Sequence, residues 1–99
     1  MPKYTLSPNA ANSIAEINAY TINKFGPQQA GRYLANLRDR FNFLVANPEL
    51  GSKRDDIKEG YYSYFEGSHT IYYKIIDERI AIIDVLHQSM EPKRHLSVL

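Results

Sequence analysis

The sequence predicts an α+β domain of order β-α-α-β-β-β, a mostly antiparallel four-stranded sheet with a helical hairpin packed on one face. Three observations lead there. The first half carries two consecutive apolar stripes at helical spacing. After Gly60 the period changes from about 3.6 to two, in runs rich in tyrosine and isoleucine. The chain has 99 residues, 43% hydrophobic and 23% charged, which suits one folded domain over residues 1–99 and not a disordered segment.

Tyr4-Thr5-Leu6 is a short β-prone run, and Ser7-Pro8 after it pairs an N-cap residue with proline at the first helical position. From there Ala10, Ile14, Ile17, Thr21 and Phe25 draw one stripe on an amphipathic helix. Gly26-Pro27 closes that helix and opens the next, because glycine accepts the left-handed closing conformation and proline is tolerated only in a first turn. The second stripe, Ala30, Tyr33, Leu34, Leu37, Phe41, Leu44 and Val45, runs until Asn47-Pro48 stops it. Pro48 to Glu59 holds Gly51 and the charged run Lys53-Arg54-Asp55-Asp56, and reads as a surface loop anchored by Ile57. Tyr61 to Phe65 and Thr70 to Ile76 form a hairpin across Glu66-Gly67-Ser68-His69. A second turn at Asp77-Glu78-Arg79 leads into the last strand, Ile80 to His87.

Strict alternation sets Ile80, Ile82 and Leu86 against Ala81, Ile83, Val85 and His87, and neither face of the strands is plainly polar. One helical pair covers one face only. The expectation is therefore that the far face exposes aliphatic and tyrosine surface for a partner, the alternative being cover by the C-terminal tail.

Composition narrows the chemistry. With no cysteine there is no thiolate nucleophile and no cysteine-based zinc site. His69, His87 and His95 lack metal-ligand spacing, so no metal and no cofactor is expected. Asp84, His87 and Ser89 share one strand and its exit, where their side chains diverge instead of forming a nucleophilic triad. The five glycines are scattered, which gives no phosphate loop. The start lacks a signal-like apolar stretch and Ile80 to Ile83 is too short to span a bilayer, so a cytoplasmic protein without membrane contact is expected. Net charge is +1, and the excess sits in the tail, where Lys93 and Arg94 face only Glu91. The remaining chemical option is acid-base cleavage of RNA, for which His87, Lys53, Arg54 and Lys74 are the nominees. That option requires the four to converge.

The order of elements and several local motifs resemble the ParE toxins, within the RelE/ParE superfamily of type II toxin-antitoxin systems. The resemblance rests on Tyr4-Thr5-Leu6-Ser7-Pro8-Asn9-Ala10, Tyr20-Thr21 with Phe25-Gly26 and Gln29-Ala30, Asn47-Pro48-Glu49-Leu50-Gly51, Gly60, and His69-Thr70-Ile71-Tyr72-Tyr73. Its most specific part is Val85-Leu86-His87-Gln88-Ser89-Met90-Glu91 with Arg94-His95-Leu96. It implies a RelE/ParE-like fold and a bacterial toxin that poisons DNA gyrase without being an enzyme. It also implies neutralisation by a ParD-like antitoxin, with DNA contacted only through gyrase or the antitoxin. An amphipathic antitoxin segment needs an apolar groove, and Tyr62, Tyr64, Tyr72, Leu34 and Leu37 are the expected contacts. Lys93, Arg94, His95 and His87 are the expected target contacts, against the simpler view that Leu96 and Leu99 merely pack the tail on the sheet. The sister branch, ribosome-dependent messenger RNA nucleases, is the alternative. By resemblance those enzymes carry an arginine in the third strand and a tyrosine near the end of the fourth. This chain has Thr70, Tyr72 and Lys74 in the one and His87-Gln88-Ser89 in the other. A third alternative is a toxin-like binding module without toxicity.

Overall fold

A computed structural model describes residues 3–96. Strand β1 (Tyr4–Leu6) leads into helix α1 (Pro8–Phe25), and Gly26 alone separates it from helix α2 (Pro27–Ala46). The Ser7 hydroxyl caps α1 by accepting from the Ala10 N–H at 2.9 Å, and Gly26 takes φ 93° to turn the chain. A 3-10 turn (Pro48–Leu50) then precedes strands β2 (Ser52–Lys53), β3 (Tyr61–Glu66), β4 (His69–Ile76) and β5 (Arg79–His87), and the short helix α3 (Pro92–Leu96) follows.

The sheet has five strands, in the order β1-β5-β4-β3-β2, and is mixed. This corrects the expected four-stranded, mostly antiparallel layout by one strand. β1 runs parallel to β5, and the segment read as a loop contributes the two-residue edge strand β2, antiparallel to β3. The β1–β5 pair joins opposite ends of the chain, and a two-residue strand such as β2 carries no period of its own. The two hairpins are as expected. Gly67 at φ 59° and Asp77 at φ 55° occupy the tight turns, and a Cβ on Gly67 would stand 2.9 Å from the Tyr33 ring.

Alternation along β5 fails at one point. Tyr73 pairs with Ile82 but Tyr72 pairs with Asp84, so Ile83 is the extra residue of a β-bulge. Past it the faces exchange: Val85 joins Ile80 and Ile82 under the helices, and Leu86 joins Ile83 on the other side. The bulge sits where β1 has ended and α1 passes the free edge of β5. There Ser7 donates its hydroxyl to the Ile83 carbonyl at 2.6 Å, and Ser13 donates to the Asp84 carboxylate at 2.5 Å. The N-cap of α1 and one residue within it thus satisfy the groups that the bulge and the open edge leave over.

The main core lies between the helices and the sheet: Ala10, Ile17, Leu37, Phe41, Leu44 and Val45 meet Ile71, Tyr73, Ile80, Ile82 and Val85. On the far face Tyr61, Tyr72 and Leu86 are buried beneath Leu96 of α3, flanked by Ile57 and Ile83. The expected exposed far face is therefore covered by the C-terminal tail. Leu99, the other residue expected to take part, lies outside the described residues.

Candidate functional site

A concavity of about 480 Å³ lies where α1, the start of α2, the start of β4 and the end of β5 meet. Ile17, Tyr20, Phe25 and Tyr33 supply apolar and aromatic lining, and His69 and His87 polar lining. Register brings the two histidines together, because His69 opens β4, His87 closes β5 and the two are cross-strand partners. Their rings stand 5.5 Å apart, edge to face at 88°.

Each imidazole is held through Nδ1. The Tyr33 hydroxyl donates to the Glu66 carbonyl at 2.9 Å, which uses its one proton, so His69 Nδ1, 2.7 Å away, must donate to the Tyr33 oxygen. His87 Nδ1 instead accepts from the Ser89 N–H at 3.1 Å and sits 2.8 Å from the Ser89 hydroxyl. The neutral tautomers therefore differ: His69 carries its proton on Nδ1, His87 on Nε2. Burial, helped by the neighbouring His87, pushes the His69 pKa below the ordinary imidazole value and keeps the ring neutral. Burial also raises the Tyr33 hydroxyl pKa, and Glu66 nearby adds to that. Arg40 bonds the Glu66 carboxylate at 2.8 Å and lies over Phe43 and Tyr64, which fixes the neighbouring end of β3 against α2.

The residues expected to matter are distributed as follows. Tyr62 and Tyr64 are half-buried on the helix-facing side of β3, and Leu34 is half-buried on α2. Leu37, at 1% exposure, and Tyr72, at 4%, lie in the two cores on opposite faces of the sheet. Lys93, Arg94 and His95 are exposed together on α3, while His87 stands apart in the groove. The four nuclease nominees do not converge. Lys74 pairs with Ala81, five residues along β4 from the His69–His87 pair, which is roughly 17 Å at strand rise, and shares the far face with Tyr72. Arg54 forks onto Asp56 at 3.0 and 3.2 Å and lies over Tyr72 on that same far side. Lys53 sits on edge strand β2, three strands from β5. Among the described residues no group of three or more His, Asp or Glu could hold a metal ion.

Sequence reasoning missed His69 as the cross-strand partner of His87, and Tyr33 as the partner of His69. Counted strictly from the Asp77-Glu78 turn, His69 would face Leu86, and only the bulge moves its partner to His87. The one available signal was the pair of histidines at nearly equal distances from that turn.

Comparison with known proteins places this arrangement. The family model described as "ParE toxin of type II toxin-antitoxin system, parDE" matches residues 4–92. Toxin ParE1 of Mycobacterium tuberculosis is 38% identical over 95 residues, spanning 95% of this chain and 97% of the relative. Toxin ParE1 of Caulobacter vibrioides is 32% identical over 96 residues, spanning 97% and 99%. Among solved structures, the chromosomal ParDE toxin-antitoxin system from P. aeruginosa superposes with a TM-score of 0.70 at 18% identity, over 88% of this chain and 96% of that one. The RelBE2 toxin-antitoxin complex from Mycobacterium tuberculosis gives 0.60 at 19%, over 89% and 100%. The structures speak for the fold. The family model and the relatives define the class: this chain belongs to the ParE toxins of type II toxin-antitoxin systems.

Proposed function

We propose that this toxin arrests growth by inhibiting DNA gyrase in the bacterial cytoplasm, that a ParD-like antitoxin neutralises it, and that it acts by occupying its target and not by catalysis. The observation that carries the reading is the family match over residues 4–92, nearly the whole chain. The scatter of Lys53, Arg54, Lys74 and His87 over separate strands and both faces supports the non-catalytic part, since phosphodiester cleavage needs base and cation within a few ångströms of one phosphate.

Target contact falls to Lys93, Arg94 and His95, which α3 holds exposed together. Antitoxin contact falls to Tyr62, Tyr64 and Leu34, whose half-buried side chains offer apolar area, with Arg40 of the Arg40–Glu66 ion pair lying over Tyr64. Leu37 and Tyr72 serve by supporting those surfaces from inside. The test adds the purified protein to gyrase and supercoiled plasmid. Linear DNA is the expected product, and its yield falls when Lys93 and Arg94 are both replaced by alanine. Cleavage of messenger RNA on translating ribosomes, with gyrase untouched, would overturn the proposal.

A further inference from the structure

The two imidazoles that line the groove offer unlike nitrogens to a ligand. Fixing Nδ1 on each ring leaves His69 Nε2 as an acceptor and His87 Nε2–H as a donor, and among the described residues the hydrogen bonds of the two rings use Nδ1 alone. The pair therefore offers a donor and an acceptor to a mostly apolar cleft of about 480 Å³, a size suited to a small organic group. At the mouth, Tyr20 and Phe25 are 61% and 59% exposed, large aromatic areas left in water at the end of α1. Lys24 holds them in place, with Nζ 3.1 Å from the Tyr20 hydroxyl and 5.6 and 5.7 Å from the two ring centres.

We propose that this groove binds a single unpaired nucleobase, stacked on Tyr20 or Phe25 and hydrogen-bonded through its pairing edge to His69 and His87. Every base carries a neighbouring donor and acceptor on that edge and an apolar face, and these are the two features the groove complements. The same edge is consumed in a duplex, so paired DNA is excluded. Lys24 is the one cation at the rim and Glu16 opposes it, so the backbone phosphates add little and the base itself carries recognition. This is a direct contact with nucleic acid or nucleotide, beyond contact through gyrase or antitoxin, and it stands whether or not gyrase is the target.

Two sources could supply the base, a free nucleotide or a single strand, and one titration separates them. The full chain is titrated with adenosine monophosphate, with a fluorescein-labelled single-stranded oligodeoxynucleotide of mixed sequence, and with the same oligonucleotide annealed to its complement. Saturable binding of the single strand, with the duplex much weaker, is expected. Competition by the mononucleotide assigns the site to free nucleotides, and its failure to compete assigns it to strands. His87→Phe should weaken binding about tenfold by removing the donor, while His87→Gln, which keeps an N–H at the equivalent position, restores most of it. Both variants are checked for an unchanged thermal transition. Equal binding of duplex and single strand, no binding of either nucleic acid or nucleotide, or a folded His87→Phe that binds like the parent would each overturn the proposal.

Discussion

Tyr73 shows how much one side chain can carry. Its ring is fully buried, stacked at 5.4 Å on Tyr62, and its hydroxyl donates to the Pro48 carbonyl at 2.8 Å while accepting from the Gly51 N–H at 3.0 Å. A residue in the middle of the sheet thereby ties down the loop between α2 and β2. Tyr73→Phe keeps the ring and strands one carbonyl and one N–H, so unfolding in urea should show a loss of about 1–3 kcal/mol. Asp84 is the opposite case, a carboxyl held against its preference. Burial raises its pKa above the ordinary value, while the bonds from Ser13 and the Val85 N–H pull the other way, as does His95 on α3; Glu16 on α1 adds to the rise. Because the folded pKa lies above the unfolded one, the native state binds the extra proton. The stability this contributes is full below the unfolded pKa and is lost as pH rises through the raised folded pKa. Asp84→Asn removes the titration and keeps an oxygen for Ser13. Measured by urea unfolding across that window, the stability of the parent relative to Asp84→Asn should fall as pH increases, and parallel curves would refute the assignment.

Among the elements, α3 is the shortest helix and covers the most consequential surface. Leu96 is fully buried and closes the far-face cluster of Tyr61, Tyr72 and Leu86. Without it that face would show the tyrosine and aliphatic surface that the strand pattern alone leads one to expect. Leu96→Ala should therefore cost about 2–5 kcal/mol in urea unfolding, and it should make the far-face tyrosines accessible to a solution quencher. A loss under about 0.5 kcal/mol would mean that α3 does not hold the face closed. The same helix explains what was legible. Both long helices read correctly because Ser7-Pro8, Gly26-Pro27 and Asn47-Pro48 punctuate clear stripes, and both hairpins because turns and β-branched runs are local signals. The parallel β1–β5 pair was illegible because it joins opposite ends of the chain, and β2 because two residues carry no period; the docking of Leu96 was open only as an alternative, since the tail has no pattern that fixes where it lies. The Ile83 bulge was illegible for a different reason: it breaks the period from which faces are read.

At the scale of the whole molecule, that bulge and the sheet order decide which charges can act together. They assemble His69, His87 and Tyr33 into one groove, and they send Arg54 and Lys74 to the opposite face and Lys53 to the far edge. The near balance of charge means that no general field draws these cations toward a polyanion, so only local geometry can give them a role. Arg54 already has one, forked onto Asp56, and solvent screening makes that surface contact weak. Replacing Lys53, Arg54 and Lys74 together by alanine should accordingly leave the fold intact and growth arrest at the parental level. The decisive readouts are colony formation under induced expression and the gyrase-dependent linearisation of plasmid. A nuclease built on these groups would lose its effect in the triple variant even when its unfolding curve is unchanged, because removing the cations deprives the developing phosphorane charge of its stabilisation. A toxin that works by seating itself on its target through α3 would not.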